Sequence, residues 1–310
     1  MNRMTGVELI DFWPDGYIGH TDSNGVDVGK KFLINIMSNL AIARRSDIRI
    51  YSHFYKTERF ENARKILDRM NRIIEQDPLK KRLKLHGHDM KQRGLSQDSL
   101  NIWYTSENLR PPLNEGFDLF LSHDIDQYDG RNVYLPFWAT RLGSDLLSSE
   151  LVQNSMTTER KSSALGRKGV CAVVSNPEPI RMAFIKEARK HFDVDVYGAF
   201  GLPVHDKDSV LRKYKFNICF ENDEFPGYVT EKPFDAWMNG CIPIWRGIDG
   251  GIHLNDEATI NVTKNGFSNS IERIHSILNN DSEYLKLSGL PILKRKYNYD
   301  NLRNLIQSAF

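Results

Sequence analysis

The chain has few cysteines, no long apolar run and almost no net charge, and each shortage excludes something. Its three cysteines, Cys171, Cys219 and Cys241, all lie in apolar runs and none has metal-ligand spacing. They read as small core residues of a reducing compartment. No apolar stretch approaches the ~18 residues needed to span a bilayer. The first residues lack the basic region and apolar core of a signal peptide. A formal net charge of +2 leaves no global electrostatic case for nucleic acid. No Walker phosphate loop is present, and no Gly-any-Gly-any-any-Gly fingerprint opens a strand–helix turn, which weakens an NAD reading. His20, His53, His86 and His88 have no zinc spacing, and there are no internal repeats or low-complexity segments.

What remains is an ordinary globular composition, 40% hydrophobic and 26% charged, over 310 residues, enough for two domains. The second half alternates regularly. Strands are expected at 171–174, 194–197, 216–220 and 241–245, with helices at 180–191 and 207–213 and from 230 onward. This βαβα rhythm implies a parallel sheet with helices on both faces. The first half is looser, with strands at 7–12, 49–53, 101–105 and 117–121, a helix at 32–43 and an amphipathic helix at 58–75. An aromatic run at 134–138 precedes a segment, 142–165, that starts helical and turns polar. The domain boundary is expected there, giving domains 1–165 and 166–310.

The most informative stretch is Tyr214-Lys215-Phe216-Asn217-Ile218-Cys219-Phe220-Glu221-Asn222, then Tyr228-Val229-Thr230-Glu231-Lys232, then Asn239-Gly240-Cys241-Ile242-Pro243-Ile244-Trp245-Arg246-Gly247. It predicts strand, charged turn, helix, glycine stop and strand. Thr230 is the expected N-cap, Pro233 stands in the first turn and Gly240 ends the helix. The charged turn falls at the carboxyl end of a strand, where open α/β sheets bind ligands. A helix start with Lys232 in its first turn suits an anion such as a diphosphate. Glu231 suits hydroxyls, for example a ribose diol. The local pattern alone leaves both residues equally readable as ordinary first-turn helix charges.

This run resembles the donor-binding core of the α-1,3/1,4-fucosyltransferases, the family 10 glycosyltransferases. Tyr104-Thr105-Ser106-Glu107-Asn108, Phe117-Asp118-Leu119-Phe120 and the stretch from Asp124 to Tyr134-Leu135-Pro136 are similar to the acceptor domain of bacterial members such as the Helicobacter enzymes. Ser175-Asn176-Pro177, Pro179-Ile180-Arg181 and Phe184 are similar to the start of their donor domain. The match covers roughly residues 100 to 250 and is better in the donor half. It implies an α/β fold of GT-B type, two Rossmann-like domains facing each other across a cleft, with acceptor on the N-terminal domain and GDP-β-L-fucose on the C-terminal one. It also implies transfer with inversion to O3 or O4 of an N-acetylglucosamine-type residue.

The resemblance assigns roles. Glu107 matches the family's general base; its residue pattern alone fits better a carboxylate capping a turn or pairing with Arg110. Arg181 and Lys232 would bind the diphosphate and stabilise departing GDP, a task given to a divalent metal in many other glycosyltransferases. Asn222, Tyr228 and Glu231 would orient the donor. No metal is expected to be required, although a divalent ion could stimulate. Asp124-Ile125-Asp126 and Asp193-Val194-Asp195 carry the Asp-any-Asp pattern of metal-dependent transferases, but two residues in three recur by chance, and acceptor contact suits the first pair better.

The expected partners are GDP-fucose and an oligosaccharide or lipid-linked glycan acceptor, with no nucleic acid. The expected compartment is a bacterial cytoplasm. Lys65, Arg69 and Arg72 share one face of the 58–75 helix, close to Lys80, Lys81, Arg82 and Lys84. They read as a solvated mixed-charge face, or as loose attachment to an anionic inner-membrane surface. The 310 residues hold neither the heptad repeats nor the basic tail of many Helicobacter members, which argues against dimerisation through such repeats. A transferase of the same fold using another GDP-deoxyhexose and a non-catalytic sugar-nucleotide or glycan-binding protein are the competing readings.

Overall fold

The structure is a computed structural model that describes residues 6–10, 12, 27–44, 47–52, 95–163 and 166–308. The expected basic helix 58–75 and the histidines His20, His53, His86 and His88 lie outside the described residues. The chain packs as two compact units. The first comprises Met1–Ser122, Asp126–Tyr134 and Asp300–Phe310, and the second His123–Ile125 and Leu135–Tyr299.

The sheet of the first unit has five strands, all parallel, in the order β1-β2-β3-β4-β5. They are β1 (Val7–Ile10), β2 (Asp47–Ser52), β3 (Ser99–Tyr104), β4 (Leu119–Ser122) and β5 (Asn132–Tyr134), with helix α1 (Val28–Arg44) between the first two. A parallel pair needs a crossover connection, and α1 supplies one. Burial of Ile10, Tyr51, Trp103, Phe117 and Phe120 forms one core of this unit. Strand β5 has no counterpart in the expected elements: a single valine between two polar residues carries no readable period.

The second unit contains α2 (Leu146–Met156), β6 (Lys168–Val174), α3 (Pro179–Ala188), β7 (Val194–Gly198), α4 (Lys207–Leu211), β8 (Tyr214–Ile218), α5 (Lys232–Met238), β9 (Ile242–Trp245), β10 (Ile260–Asn261), α6 (Val262–Leu278) and α7 (Asp281–Gly289). Helix α8 (Tyr299–Ser308) follows, and from residue 300 it belongs to the first unit. Residues 135–163 join the second unit through bonds to its far end. Tyr297 N donates to Gln153 Oε1 at 2.6 Å, Leu293 N to Met156 O at 3.0 Å and Arg160 N to Gly289 O at 3.0 Å.

The second sheet is also all parallel, in the order β10-β9-β8-β6-β7. The chain enters at β6, steps outward to β7, then returns to the other side of β6 as β8. The winding therefore reverses between β6 and β8. Val170, Ala172, Val174, Phe216 and Ile218 from the central strands pack on Phe184, Ile185, Ile274 and Ile277 from the helices.

Helix ends follow sequence chemistry at several points. Glu178 caps α3, its carboxylate accepting from Ile180 N at 2.9 Å and Arg181 N at 2.8 Å, with Pro179 at the first position. Gly240 follows α5 with φ +88°, and a Cβ there would lie 2.2 Å from the Arg167 guanidinium. The expected N-cap role of Thr230 is corrected. Glu231 is the residue before α5 and makes no side-chain cap bond; the Thr230 hydroxyl donates to the buried carboxylate of Glu221 at 2.7 Å, and its oxygen accepts only a long bond, 3.5 Å, from Lys232 N.

Trp138 stacks on Phe234 of α5 with ring centroids 4.6 Å apart and meets His253 at 5.3 Å. His253 Nδ1 lies 3.2 Å from Arg295 O. Burial pushes its imidazole below the usual 6.5, against the opposing Arg295 carbonyl and Asp249. A histidine with a depressed folded pKa stabilises above its unfolded pKa, and that share is lost as pH falls through the folded value. The melting temperature is expected to fall more steeply between pH 7.5 and 5.5 in the wild type than in His253→Gln; equal slopes would remove His253 as a contributor. Among the described residues no helix is long and apolar enough to cross a membrane.

Candidate functional site

At the β6/β8 reversal the chain leaves the two strands in opposite directions, the point at which open α/β sheets bind ligands. Arg181, in the first turn of α3, reaches across that point. Its Nη2 donates to Phe220 O at 2.6 Å and Asn222 Oδ1 at 3.2 Å, and its Nη1 donates to Asn176 O at 2.8 Å. The side chain is buried, and burial pulls the guanidinium pKa down while Glu178 and Glu221 oppose it. It remains a cation at any physiological pH. A guanidinium carries five N–H groups. Nε–H and one Nη1–H have no protein acceptor among the described residues and are available to an anion.

One residue along, Glu221 is 0% exposed. Its Oε1 accepts from Thr230 N at 2.9 Å and Trp245 Nε1 at 3.3 Å. Its Oε2 accepts from Thr230 Oγ1 at 2.7 Å and Lys232 Nζ at 3.0 Å. Gly247 must be bare here, since a Cβ would stand 2.4 Å from the Trp245 ring and 3.1 Å from Glu221 Cγ. Lys232 Nζ also donates to Thr230 Oγ1 at 3.1 Å. Burial alone would lower the Lys232 pKa, but Glu221 and then Glu231 outweigh it and hold the ammonium above its ordinary value. Lys207, on α4, pairs with buried Asp235 of α5 at 2.6 Å. Its pKa is likewise raised, as Asp235 and Glu231 overcome desolvation.

The loop between β8 and α5 is pinned at both sides. Glu224 binds Arg246 and the Thr263 hydroxyl, and Gly227 N donates to Ile248 O at 2.9 Å. Tyr228 is buried in this loop, its ring 4.8 Å from that of His123. His123 carried no assigned role in the sequence. The only signal for it was a polar His-Asp pair directly after an apolar strand.

The structure therefore brings Arg181 and Asn222 into direct contact, and puts Lys232 on Glu221 with Tyr228 and Glu231 on the intervening loop. Glu107 belongs to the first unit. It lies in the turn after β3 and is exposed, its N–H donating to Thr105 Oγ1 at 3.0 Å. Arg110, its alternative partner by sequence, binds Asn108 Oδ1.

The Asp-any-Asp pairs are placed poorly for sharing an ion. Asp195 is the second residue of β7, at the sheet edge opposite Arg181, accepting from the Tyr214 hydroxyl and lying 3.8 Å from Lys168. Asp124 is buried while Asp126 is exposed. Among the described residues no three His, Cys, Asp or Glu side chains gather as a metal site. Burial pushes the Cys219 and Cys241 thiols well up, which disfavours nucleophilic thiolate there.

Residues 164–288 match the family described as glycosyltransferase family 10 (fucosyltransferase) C-term. Over those residues the chain carries the family 10 match. The chain is 30% identical over 224 residues to an α-(1,3)-fucosyltransferase FucT of Helicobacter pylori, covering 62% of this chain and 47% of that protein. It is 39% identical over 85 residues to a 4-galactosyl-N-acetylglucosaminide 3-α-L-fucosyltransferase 9 of Mus musculus, covering 26% of this chain and 24% of that one. The chain thus spans less than half the length of these curated relatives.

Among solved structures, an α1,3-fucosyltransferase superposes with a TM-score of 0.64 at 22% identity, covering 99% of this chain and 88% of that one. An α1,3-fucosyltransferase with GDP-fucose gives 0.63 at 18% identity, covering 98% and 90%. The likeness is one of fold: α/β, of GT-B type, with two Rossmann-like units. Arg181, the Glu221–Lys232 pair and Tyr228 all fall inside the matched residues 164–288.

Proposed function

We propose that the protein is an inverting fucosyltransferase that moves L-fucose from GDP-β-L-fucose to O3 or O4 of an N-acetylglucosamine-type residue in a glycan. The observation that carries the donor half is the paired cation arrangement. Arg181 and Lys232 stand on either side of the Phe220-Glu221-Asn222 segment at the winding reversal, in the family 10 domain. Two fixed cations with free N–H groups suit a diphosphate, and they can take up the charge that develops on departing GDP. With that task filled by side chains, transfer is proposed to need no metal, and a divalent ion would at most stimulate. Asn222, Tyr228 and Glu231 are proposed to orient the ribose and fucose hydroxyls. The first domain, 1–165 by sequence, is proposed to bind the acceptor and the second, 166–310, the donor.

Glu107 is proposed as the general base. Its exposed position in the turn at the carboxyl end of β3 supports this. The Glu107 carboxylate takes the proton of the acceptor hydroxyl. The oxygen attacks fucose C1 on the face opposite the phosphate, the C1–O bond to GDP breaks, and GDP leaves with the electron pair. The β-linked donor then gives an α-linked product. The acceptor is proposed to be an oligosaccharide or lipid-linked glycan handled in the bacterial cytoplasm, with peripheral contact to the inner-membrane surface.

The test is GDP release from GDP-fucose with an acceptor panel containing N-acetyllactosamine and its β-1,3-galactosyl isomer. Acceptor-dependent release is expected, and the preferred isomer assigns O3 or O4. Release with another GDP-deoxyhexose in place of GDP-fucose would replace the donor. Binding without turnover on any acceptor would favour a binding protein.

A further inference from the structure

We propose that Glu221 is a positioning residue for the donor: its buried carboxylate aims a single N–H of Lys232 at the diphosphate, an inference that rests on the GDP-sugar reading above. The carboxylate cannot itself touch substrate, because it is 0% exposed. Nor can it act as a base. Oε1 is taken by Thr230 N and Trp245 Nε1, and Oε2 by Thr230 Oγ1 and Lys232 Nζ, which fills both lone-pair directions of each oxygen. A carboxylate held this way has one remaining function, to hold something else still.

What it holds is the lysine, from both ends. It binds the backbone N–H and hydroxyl of Thr230, two residues before Lys232, and it binds the ammonium itself. The ammonium has three hydrogens. One goes to Glu221 Oε2 and one to Thr230 Oγ1. The third has no acceptor among the described residues, and the Lys232 side chain keeps 23% of its exposure. A flexible point charge thereby becomes a donor with one free direction, so less rotamer freedom is lost when phosphate binds.

The same segment places the other cation. Along Phe220-Glu221-Asn222, the Phe220 carbonyl and the Asn222 amide oxygen face Arg181, while the intervening Glu221 faces Lys232. Three consecutive residues at the exit of β8 thus set the spacing of the two charges that would grip a diphosphate.

The test is a double-mutant cycle read by calorimetric binding of GDP and GDP-fucose, with wild type, Glu221→Gln, Lys232→Gln and the double variant. In Glu221→Gln the amide oxygen is required by the two obligatory donors, Thr230 N and Trp245 Nε1. The amide NH2 then meets Lys232 Nζ donor to donor and turns it away. Glu221→Gln and Lys232→Gln are each expected to weaken binding by about tenfold or more. The double variant is expected to bind within about twofold of Lys232→Gln alone, since Glu221 acts through Lys232. Thr230→Val, which removes the second acceptor of the ammonium and one of the four donors to Glu221 while keeping the carboxylate, supplies an arm that does not depend on the Gln variant folding, with an expected loss of about threefold to tenfold. Multiplicative losses in the cycle, or undiminished binding in both Glu221→Gln and Thr230→Val, would overturn the positioning role while leaving the donor assignment standing. Failure of the wild type to bind either GDP compound would overturn both.

Discussion

Glu107→Gln is expected to lower acceptor-dependent GDP release by about 10²–10⁴-fold, the usual worth of one positioned base. The amide keeps the size and shape of the carboxylate and removes only its ability to take a proton. Glu107 is in the first unit and the donor set is in the second, so GDP-fucose affinity is expected to stay within about twofold of wild type. The loss should therefore appear in kcat with the donor KM little changed, the pattern of an interaction made only in the transition state. Steady-state kinetics at saturating acceptor, with calorimetric donor binding alongside, makes the check. A variant that binds donor normally and turns over at the wild-type rate would remove Glu107 from the mechanism and send the search to other carboxylates of the first unit.

The second large effect is on stability. Lys232→Met keeps the length of the side chain and removes the cation of a wholly buried carboxylate. Among the described residues Lys232 is the only ion-pair partner of Glu221. Breaking a buried pair from one side strands the remaining charge, a loss of about 3 kcal/mol or more. Urea unfolding of Lys232→Met is expected to show a loss of that order. Adding Glu221→Gln is expected to recover part of it, because the double variant no longer buries a bare charge. Replacing both members of such a pair is often far milder than replacing one. A single variant as stable as the wild type would mean that water or a local shift satisfies Glu221 without the lysine.

Much of the second domain was readable residue by residue. The apolar runs before Glu221 and Arg246 were short enough to be strands and not helices, and β8 and β9 stand where those runs do. Pro179 and the glycine after α5 mark helix ends for reasons internal to their own backbones. The charged turn before α5 carries Glu221, Asn222, Tyr228 and Glu231. Less legible were elements with weak or broken period. Strand β5 is three residues long, and α6 contains Gly266 at φ 72°, a kink that interrupts any continuous stripe.

The partners of charged side chains were not legible at all. By sequence Thr230 is a good N-cap and Glu221 an ordinary turn carboxylate. In the fold Thr230 serves Glu221, because a carboxylate with no exposure needs every nearby donor. Nothing in the spacing of residues 221, 230, 232 and 245 announces that they meet.

The sequence by itself determined the parallel α/β class, the strand–turn–helix–strand order around Lys232, and which residue types would crowd the carboxyl ends of the strands. These follow from periodicity, caps and turn chemistry, which act over a few neighbouring residues. Only the tertiary structure decided that Arg181 would lie across the exit of β8, that Glu221 would be sealed beneath Lys232, and that residues 135–163 would pack with the chain end near 290–297. Those outcomes depend on which strand pairs with which and how loops close over a sheet, and long-range packing, unlike local period, leaves no trace in the order of the residues.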